Sequence, residues 1–124
     1  MLELEQYTQD VNGIRTQIKN AGEALHVDHM REQIAELTEE MNQPEFWNDL
    51  DHSTKVNQKL GRLKNRLAHY EKLLSSADDI EVMISLAQEE NDESMGEEIG
   101  LELTQLKEQA DALELETLMR GDYD

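Results

Sequence analysis

The sequence predicts an all-α fold, an elongated antiparallel up-down helical bundle with coiled-coil-like heptad packing. Apolar residues recur alternately three and four positions apart through four segments, and this spacing places them on one stripe of a helix. The alternation of apolar and polar residues that is typical of strands is missing, and β-branched residues are sparse. A chain of 124 residues has the length of one domain. We therefore expect a single helical domain over residues 1–124.

The apolar stripes predict five helices, which lie near residues 2–21, 29–42, 53–75, 78–90 and 94–119. The stripe of the first helix extends from Leu4 to Leu25, and Gly22 weakens the end of that helix. Asp28 is a plausible N-cap for the second helix. The same heptads could drive a dimer, although the short connections favour a bundle formed by one chain.

Capping and turn-forming residues predict the breaks between the later helices. Pro44, the only proline, ends the second helix because a proline disfavours helical geometry at the preceding residue. Asp51 or Ser53 can cap the third helix. The run 75–78 (Ser-Ser-Ala-Asp) has the composition of a kink or a cap, and Gly121 is the type of residue favoured just past a helix C-terminus.

The net charge is strongly negative, with 11 basic against 29 acidic side chains and a formal value of −18. Such a charge argues against unassisted binding to bare nucleic acid or to an anionic membrane surface. The N-terminus lacks the basic and continuous apolar segments of a signal peptide, and no apolar run is long enough to span a bilayer. We expect a cytoplasmic protein that does not bind membranes.

One helix departs from this acidic composition. Residues 51–77 hold six basic and two acidic side chains, which gives +4 in a chain of −18. Four of the basic side chains form a stripe on one side of the third predicted helix: Lys55, Lys59, Arg62 and Arg66. The stripe can neutralise an acidic helix of the same chain, or it can bind an anionic partner such as RNA phosphate.

The connection before that helix concentrates the only Pro, Phe and Trp of the chain in one segment, which contains Pro44, Phe46, Trp47 and Asn48. Phe46 and Trp47 can fold back to cover the end of the bundle while Asn48 or Asp49 begins a turn. Alternatively, the aromatic side chains are exposed and form a hot spot for a protein partner.

Motifs for metal binding or catalysis are incomplete. The chain has no cysteine, no Gly-rich phosphate loop and no Gly-x-Ser-x-Gly motif. Glu23 and His26 form one Glu-x-x-His pair, whereas a di-iron bundle needs two. Residues 91–102 place Met95 where a calcium loop requires an oxygen ligand. We expect no catalytic residue, no cofactor and no metal site.

The most specific resemblance to a known family lies in two segments, the run 43–49 (Gln-Pro-Glu-Phe-Trp-Asn-Asp) and the ending 119–124 (Met-Arg-Gly-Asp-Tyr-Asp). The opening 1–5 (Met-Leu-Glu-Leu-Glu) and the run from Leu25 to Met41 share it. At this spacing they resemble the N-terminal region of the bacterial peptide chain release factor 2 family, and the likeness covers essentially the whole chain. The resemblance implies a helical first domain of a class I translation termination factor. It further implies that this domain lies near the ribosomal stalk base and communicates with the GTPase release factor.

The family's decoding and hydrolysis motifs are not in this sequence. In that family a Ser-Pro-Phe tripeptide helps to read UGA and UAA, and a Gly-Gly-Gln loop promotes hydrolysis of peptidyl-tRNA. The chain contains neither tripeptide and no Gly-Gly pair. We expect a non-catalytic domain cut before the decoding and Gly-Gly-Gln domains, with the ribosome as partner and weak or no RNA binding of its own. The alternative is a free-standing acidic coiled-coil adaptor or chaperone-like protein, which the heptads allow equally.

Overall fold

The computed structural model describes the backbone of residues 2–123 and the side chains of residues 2–120. Four helices account for most of them: α1 (Leu2–Ala24), α2 (Val27–Met41), α3 (Leu50–Glu89) and α4 (Gly96–Tyr123). Two short 3-10 turns, Phe46–Asn48 and Glu93–Met95, precede α3 and α4. No strand occurs within residues 2–123, so the predicted all-α class is confirmed. None of the described helices is both long and apolar enough to cross a membrane.

The predicted break at residues 75–78 is absent, because α3 continues from Leu50 to Glu89 as one helix. Ala77 is completely buried, and it continues a stripe whose members are spaced three and four apart: Leu73, Ala77, Ile80, Ile84 and Ala87. The burial of this stripe stabilises helical geometry across the two serines, whose weak helix propensity is overridden. The separate helices predicted at 53–75 and 78–90 are therefore one.

Two compact units divide the chain: Met1–Leu25 with Glu71–Asp124, and His26–Tyr70. In the first unit α1 and α4 run in the same direction, since Glu3 lies beside Gly96 and Gln17 beside Asp111. The later part of α3 runs the opposite way. It ends just before α4 begins, and its earlier residue Asp78 binds Arg15, which lies further along α1. This unit thus has the up-down-up order expected of an antiparallel bundle.

Glycines allow α1 to approach the start of α4 closely. A Cβ atom at position 100 would stand 2.7 Å from the hydroxyl oxygen of Tyr7, and one at Gly96 would stand 3.1 Å from Oε2 of Glu3. The Gly-x-x-x-Gly spacing therefore marks a close helix contact, in which side chains of α1 lie on the backbone of α4.

The second unit contains α2 and the first part of α3. Its start differs from the prediction: His26, in left-handed geometry with φ 60, precedes α2, and Asp28 lies inside the first turn. There the Asp28 carboxylate accepts a hydrogen bond from Arg31 at 2.8 Å, so Asp28 is not the N-cap. The helix ends at Met41, before Pro44, as predicted.

The N-cap of α3 is Asp49, which is neither of the two predicted candidates. Oδ1 of Asp49 accepts a hydrogen bond from the backbone N–H of His52 at 3.1 Å, the geometry of an N-cap aspartate. Asp51 lies in the first turn. Ser53 is buried, and its Oγ donates to the Leu50 carbonyl at 3.0 Å. The fold brings Ser53 onto the buried side of the helix, which leaves the cap to Asp49.

Candidate partner-binding surfaces

After its first turn, α3 has a basic segment without any acidic residue. Between Asp51 and Glu71 the chain has 19 residues, of which none is acidic and five are basic: Lys55, Lys59, Arg62, Lys64 and Arg66. All five side chains are exposed. The buried residues on this part of α3 are Ser53, Val56, Leu60 and Tyr70. The basic charge therefore lies on the solvent-facing sides of the helix.

Four of these side chains share one face of α3, which we call the basic stripe: Lys55, Lys59, Arg62 and Arg66. With 3.6 residues per turn and a rise of about 1.5 Å per residue, the stripe extends for roughly 16 Å along the helix. Lys64 points away from it, about half a turn around the helix. The predicted face is therefore continuous, exposed and helical.

Pairing with the chain's own carboxylates does not account for most of the stripe. Within the part of the chain that the structure describes, no carboxylate oxygen lies within 4.0 Å of the charged groups of Lys55, Lys59 or Arg62. Other cations do pair, such as Arg15 with Asp78 at 3.1 Å. The charge of these three side chains is thus available to an external anion.

The aromatic turn, residues 44–49, divides its two large rings between the core and solvent. Phe46 is buried at 6% exposure, whereas Trp47 is 55% exposed. The rings meet edge to face, with centroids 4.9 Å apart and planes at 85°. Pro44 and Asn48 are exposed as well. The sequence allowed both rings to be buried or both to be exposed. In the structure Phe46 is buried and Trp47 is exposed.

Hydrogen bonds and ring contacts hold this turn against the helices on either side. Nε2 of His52 donates a hydrogen bond to Oε1 of Glu40, which joins the first turn of α3 to the last turn of α2. The His52 ring also packs against Phe46, with centroids 5.9 Å apart. Backbone bonds from Phe46 to Gln43 and from Asn48 to Glu45 close the turn itself. Trp47 is therefore carried by an ordered backbone.

The contribution of His52 is one that the sequence pattern did not reveal, since its partner Glu40 is 12 residues away. Asp49 was likewise missed as the helix cap. A signal existed only for Asp49: it directly precedes the first turn of α3, where an N-cap aspartate is favoured.

The aromatic turn lies within an acidic stretch of the sequence. From Glu32 to Asp51 the chain has no Lys or Arg, and it has seven acidic residues: Glu32, Glu36, Glu39, Glu40, Glu45, Asp49 and Asp51. The second unit thus carries an acidic stretch of sequence that contains Trp47, followed along the chain by the basic stripe.

Metal-binding geometry is absent from the residues that the structure describes, where no three His, Cys, Asp or Glu side chains converge. Glu23 and His26 are both exposed. In the segment 91–102, which matches a calcium loop only in part, Oδ1 of Asp92 accepts a hydrogen bond from the backbone N–H of Ser94 at 2.9 Å. The hydrogen bonds from Ser94 lower the pKa of Asp92. This segment is a cap before α4.

Comparison with known proteins gives a match to the PCRF domain family over residues 30–124. Peptide chain release factor 2 of Saccharopolyspora erythraea is 34% identical over 115 residues, which are 93% of this chain and 31% of that protein. The Kineococcus radiotolerans protein of the same name is 31% identical over 118 residues, which are 95% of this chain and 32% of that protein. Peptide chain release factor 2 of Clostridium perfringens strain SM101 is 32% identical over 124 residues, which are 100% of this chain and 34% of that protein. The chain spans about a third of the length of these relatives.

Proposed function

Because this chain belongs to the PCRF domain family, we propose that its 124 residues are the N-terminal helical domain of a class I translation termination factor. The observation that carries the proposal is the family match over residues 30–124, together with relatives that bear the name peptide chain release factor 2. The domain's role is to dock the factor on the ribosome. Recognition of UGA and UAA and hydrolysis of peptidyl-tRNA belong to parts of the factor outside these residues.

The basic stripe is the surface that we assign to ribosomal RNA. Three of its side chains have no carboxylate partner within the described part of the chain, and all four are exposed on one helical face. Lys and Arg in such an array neutralise phosphates and release their counterions. The net charge of −18 opposes this attraction, so the domain binds RNA weakly without the rest of the factor.

The place of docking is the region of the ribosomal stalk base, where the domain also contacts the GTPase release factor. This part of the proposal rests on the resemblance of the aromatic turn to the family. It assigns the domain a positioning role, which the exposed charges of the basic stripe support.

A peptide-release assay tests the non-catalytic role. The chain is added to ribosomal complexes that hold peptidyl-tRNA and a stop codon in the decoding site. We expect no release above that of buffer, because no Gly-Gly-Gln segment is present. Release of peptide by the chain would contradict the proposal.

Charge removal tests the stripe in the intact factor. Replacing Lys55, Lys59 and Arg62 by Gln is expected to weaken ribosome binding. The salt dependence of the binding constant is expected to fall by roughly one slope unit for each phosphate that is no longer neutralised. Lys64→Gln is the matched control, because it removes a charge from the same helix on the opposite side. If the triple variant and the control bind equally well, the stripe has no role in docking.

A further inference from the structure

We propose that Trp47 is the anchor of a protein-binding surface, and that its partner is a basic protein surface with an apolar pocket that accepts an indole ring. The surface consists of residues outside the basic stripe, and the inference rests on the proposed function only in taking the ribosome as the source of the partner. It assigns the second unit two contacts of different chemistry, one to protein and one to RNA.

The first observation is the exposure of apolar side chains around the turn. Trp47 is 55% exposed, and Leu50, three residues later, is 75% exposed. Pro44, three residues earlier, is exposed too. Phe46 is buried whereas more than half of Trp47 is exposed, so the indole is not a core residue. A large aromatic side chain left in water beside other apolar groups is typical of a binding hot spot.

The second observation is the order of the backbone that carries the indole. The rings of Phe46 and Trp47 meet edge to face, with their planes at 85°. The ring of Phe46 in turn packs against that of His52. The His52–Glu40 hydrogen bond and the Asp49 cap hold the start of α3. A side chain on such a support loses little conformational freedom when a partner binds, which favours affinity.

The third observation is charge, which decides the class of partner. Glu45 and Asp49 are exposed on either side of Trp47, and no Lys or Arg occurs between Arg31 and Lys55. Carboxylates repel the phosphates of RNA, so stacking of a ribosomal base on Trp47 is disfavoured. A protein surface rich in Lys and Arg is attracted by the same carboxylates, and its apolar pocket takes the ring.

Site-specific photocrosslinking to purified bacterial 70S ribosomes tests the proposal. The photoreactive residue p-benzoylphenylalanine replaces Trp47 in the 124-residue chain, and in a matched control it replaces Leu101, an apolar side chain of the other unit that is 62% exposed. We expect an adduct with a basic ribosomal protein from position 47, in a yield at least about tenfold above that from position 101. Glu45→Lys in the same chain is expected to lower this yield several-fold.

Binding measurements give an independent readout. Trp47→Ala is expected to weaken ribosome binding by at least about tenfold, and Trp47→Phe by much less, because a smaller aromatic ring still fills part of the pocket. Circular dichroism checks that each variant is helical. If Trp47→Ala proves unfolded, the crosslinking experiment alone decides whether Trp47 contacts a ribosomal protein.

The outcomes separate this inference from the proposed function. An adduct with ribosomal RNA, equal yields from positions 47 and 101, or unchanged binding by a folded Trp47→Ala variant would overturn the Trp47 surface and leave ribosome docking intact. Failure of the wild-type chain to bind ribosomes at all would overturn both.

Discussion

The hydroxyl oxygen of Tyr7 lies only 2.7 Å from the place that a Cβ atom of residue 100 would occupy, so α1 approaches the backbone of α4 where Gly100 has no side chain. The same hydroxyl donates a hydrogen bond to Oε1 of Glu3 at 2.8 Å. This bond, with smaller effects of burial and of the charges on Glu3 and Asp10, raises the pKa of Tyr7. The contact fixes the register of two helices that are far apart in the sequence.

Alanine at position 100 is therefore expected to destabilise the protein relative to alanine at an open glycine. Gly13, in α1 of the same unit, has nothing within 4 Å of its Cβ position, so Gly13→Ala is expected to raise the free energy of unfolding by about 0.5–1 kcal/mol. Gly100→Ala is expected to be at least about 1 kcal/mol less stable than Gly13→Ala, because its methyl group overlaps the Tyr7 hydroxyl. Urea unfolding followed by circular dichroism measures both.

The Tyr7→Phe background supplies the control for this clash. Removal of the hydroxyl leaves the nearest ring carbon 3.4 Å from the added methyl group, so Gly100→Ala is expected to lose most of its penalty there. An equal penalty in both backgrounds would show that the hydroxyl contact is not its cause.

Arg15 is expected to matter more to stability than a neighbouring cation. Its side chain is only 18% exposed, and its guanidinium contacts carboxylates of α3 at Asp78 (3.1 Å) and Glu81 (2.5 Å). Arg15→Gln is expected to lower the free energy of unfolding by about 1 kcal/mol, since the two carboxylates then lose their neutralising partner. Thermal melts in low and high salt measure the loss, which screening reduces in high salt.

Lys19→Gln is the matched control, because Lys19 is exposed in the same helix and is in no ion pair within the described part of the chain. Its melting temperature is expected to be nearly that of the wild type. A loss as large as that of Arg15→Gln would mean that general charge repulsion, in a chain of −18, governs both variants.

Asp111 gives a prediction for pH dependence. Hydrogen bonds from Gln17 (2.7 Å) and Lys107 (3.0 Å) lower the pKa of Asp111 below its ordinary value of 3.8. A carboxylate with a lowered folded-state pKa stabilises the fold above its unfolded-state pKa, and this contribution disappears as the pH falls through the folded-state value. Asp111→Asn is therefore expected to be less stable than the wild type at about pH 7, with a difference that shrinks below pH 3.8.

Thermal melts between about pH 7 and about pH 2.5 measure this difference, with Asp79→Asn as control. Asp79 is exposed and makes no side-chain hydrogen bond or ion pair within the described residues. A difference for Asp111→Asn that stays constant over the whole pH range would contradict the role of its charge.

Substitutions at Ser75 and Ala77, in the run where a break was predicted, test the continuity of α3. In a continuous helix, exposed Ser75 is a weak helix former, so Ser75→Ala is expected to raise the free energy of unfolding by about 0.5 kcal/mol. If Ser75 instead capped a new helix, the same change would lower the free energy of unfolding by about 1 kcal/mol. Ala77→Leu is expected to destabilise by about 1–3 kcal/mol, because Ala77 is completely buried. Chemical unfolding of both variants distinguishes one helix from two.

Local periodicity was sufficient to predict the helices, because burial of a stripe depends on spacing within one segment. The stripe of α1 from Leu4 to Ala21 is buried as predicted except for Tyr7, which is half-buried. The helix α2 ends at Met41, before the only proline. The ends of helices were harder to predict, since several polar residues compete for each cap. Asp28 and Asp49 have similar sequence contexts, yet only the Asp49 carboxylate accepts the backbone bond of a helix start.

By itself the sequence determined the helical class, the strong negative charge and the spacing of the basic stripe on α3, since each depends on residue types and their local spacing. Only the tertiary structure decided that Phe46 is buried while Trp47 is exposed, and that Tyr7 meets Gly100. Both side chains are large and aromatic, so the sequence does not distinguish which of the two is buried. Their burial depends on the parts of the chain that pack around them. Contacts such as His52 with Glu40 likewise join residues that no helical period relates.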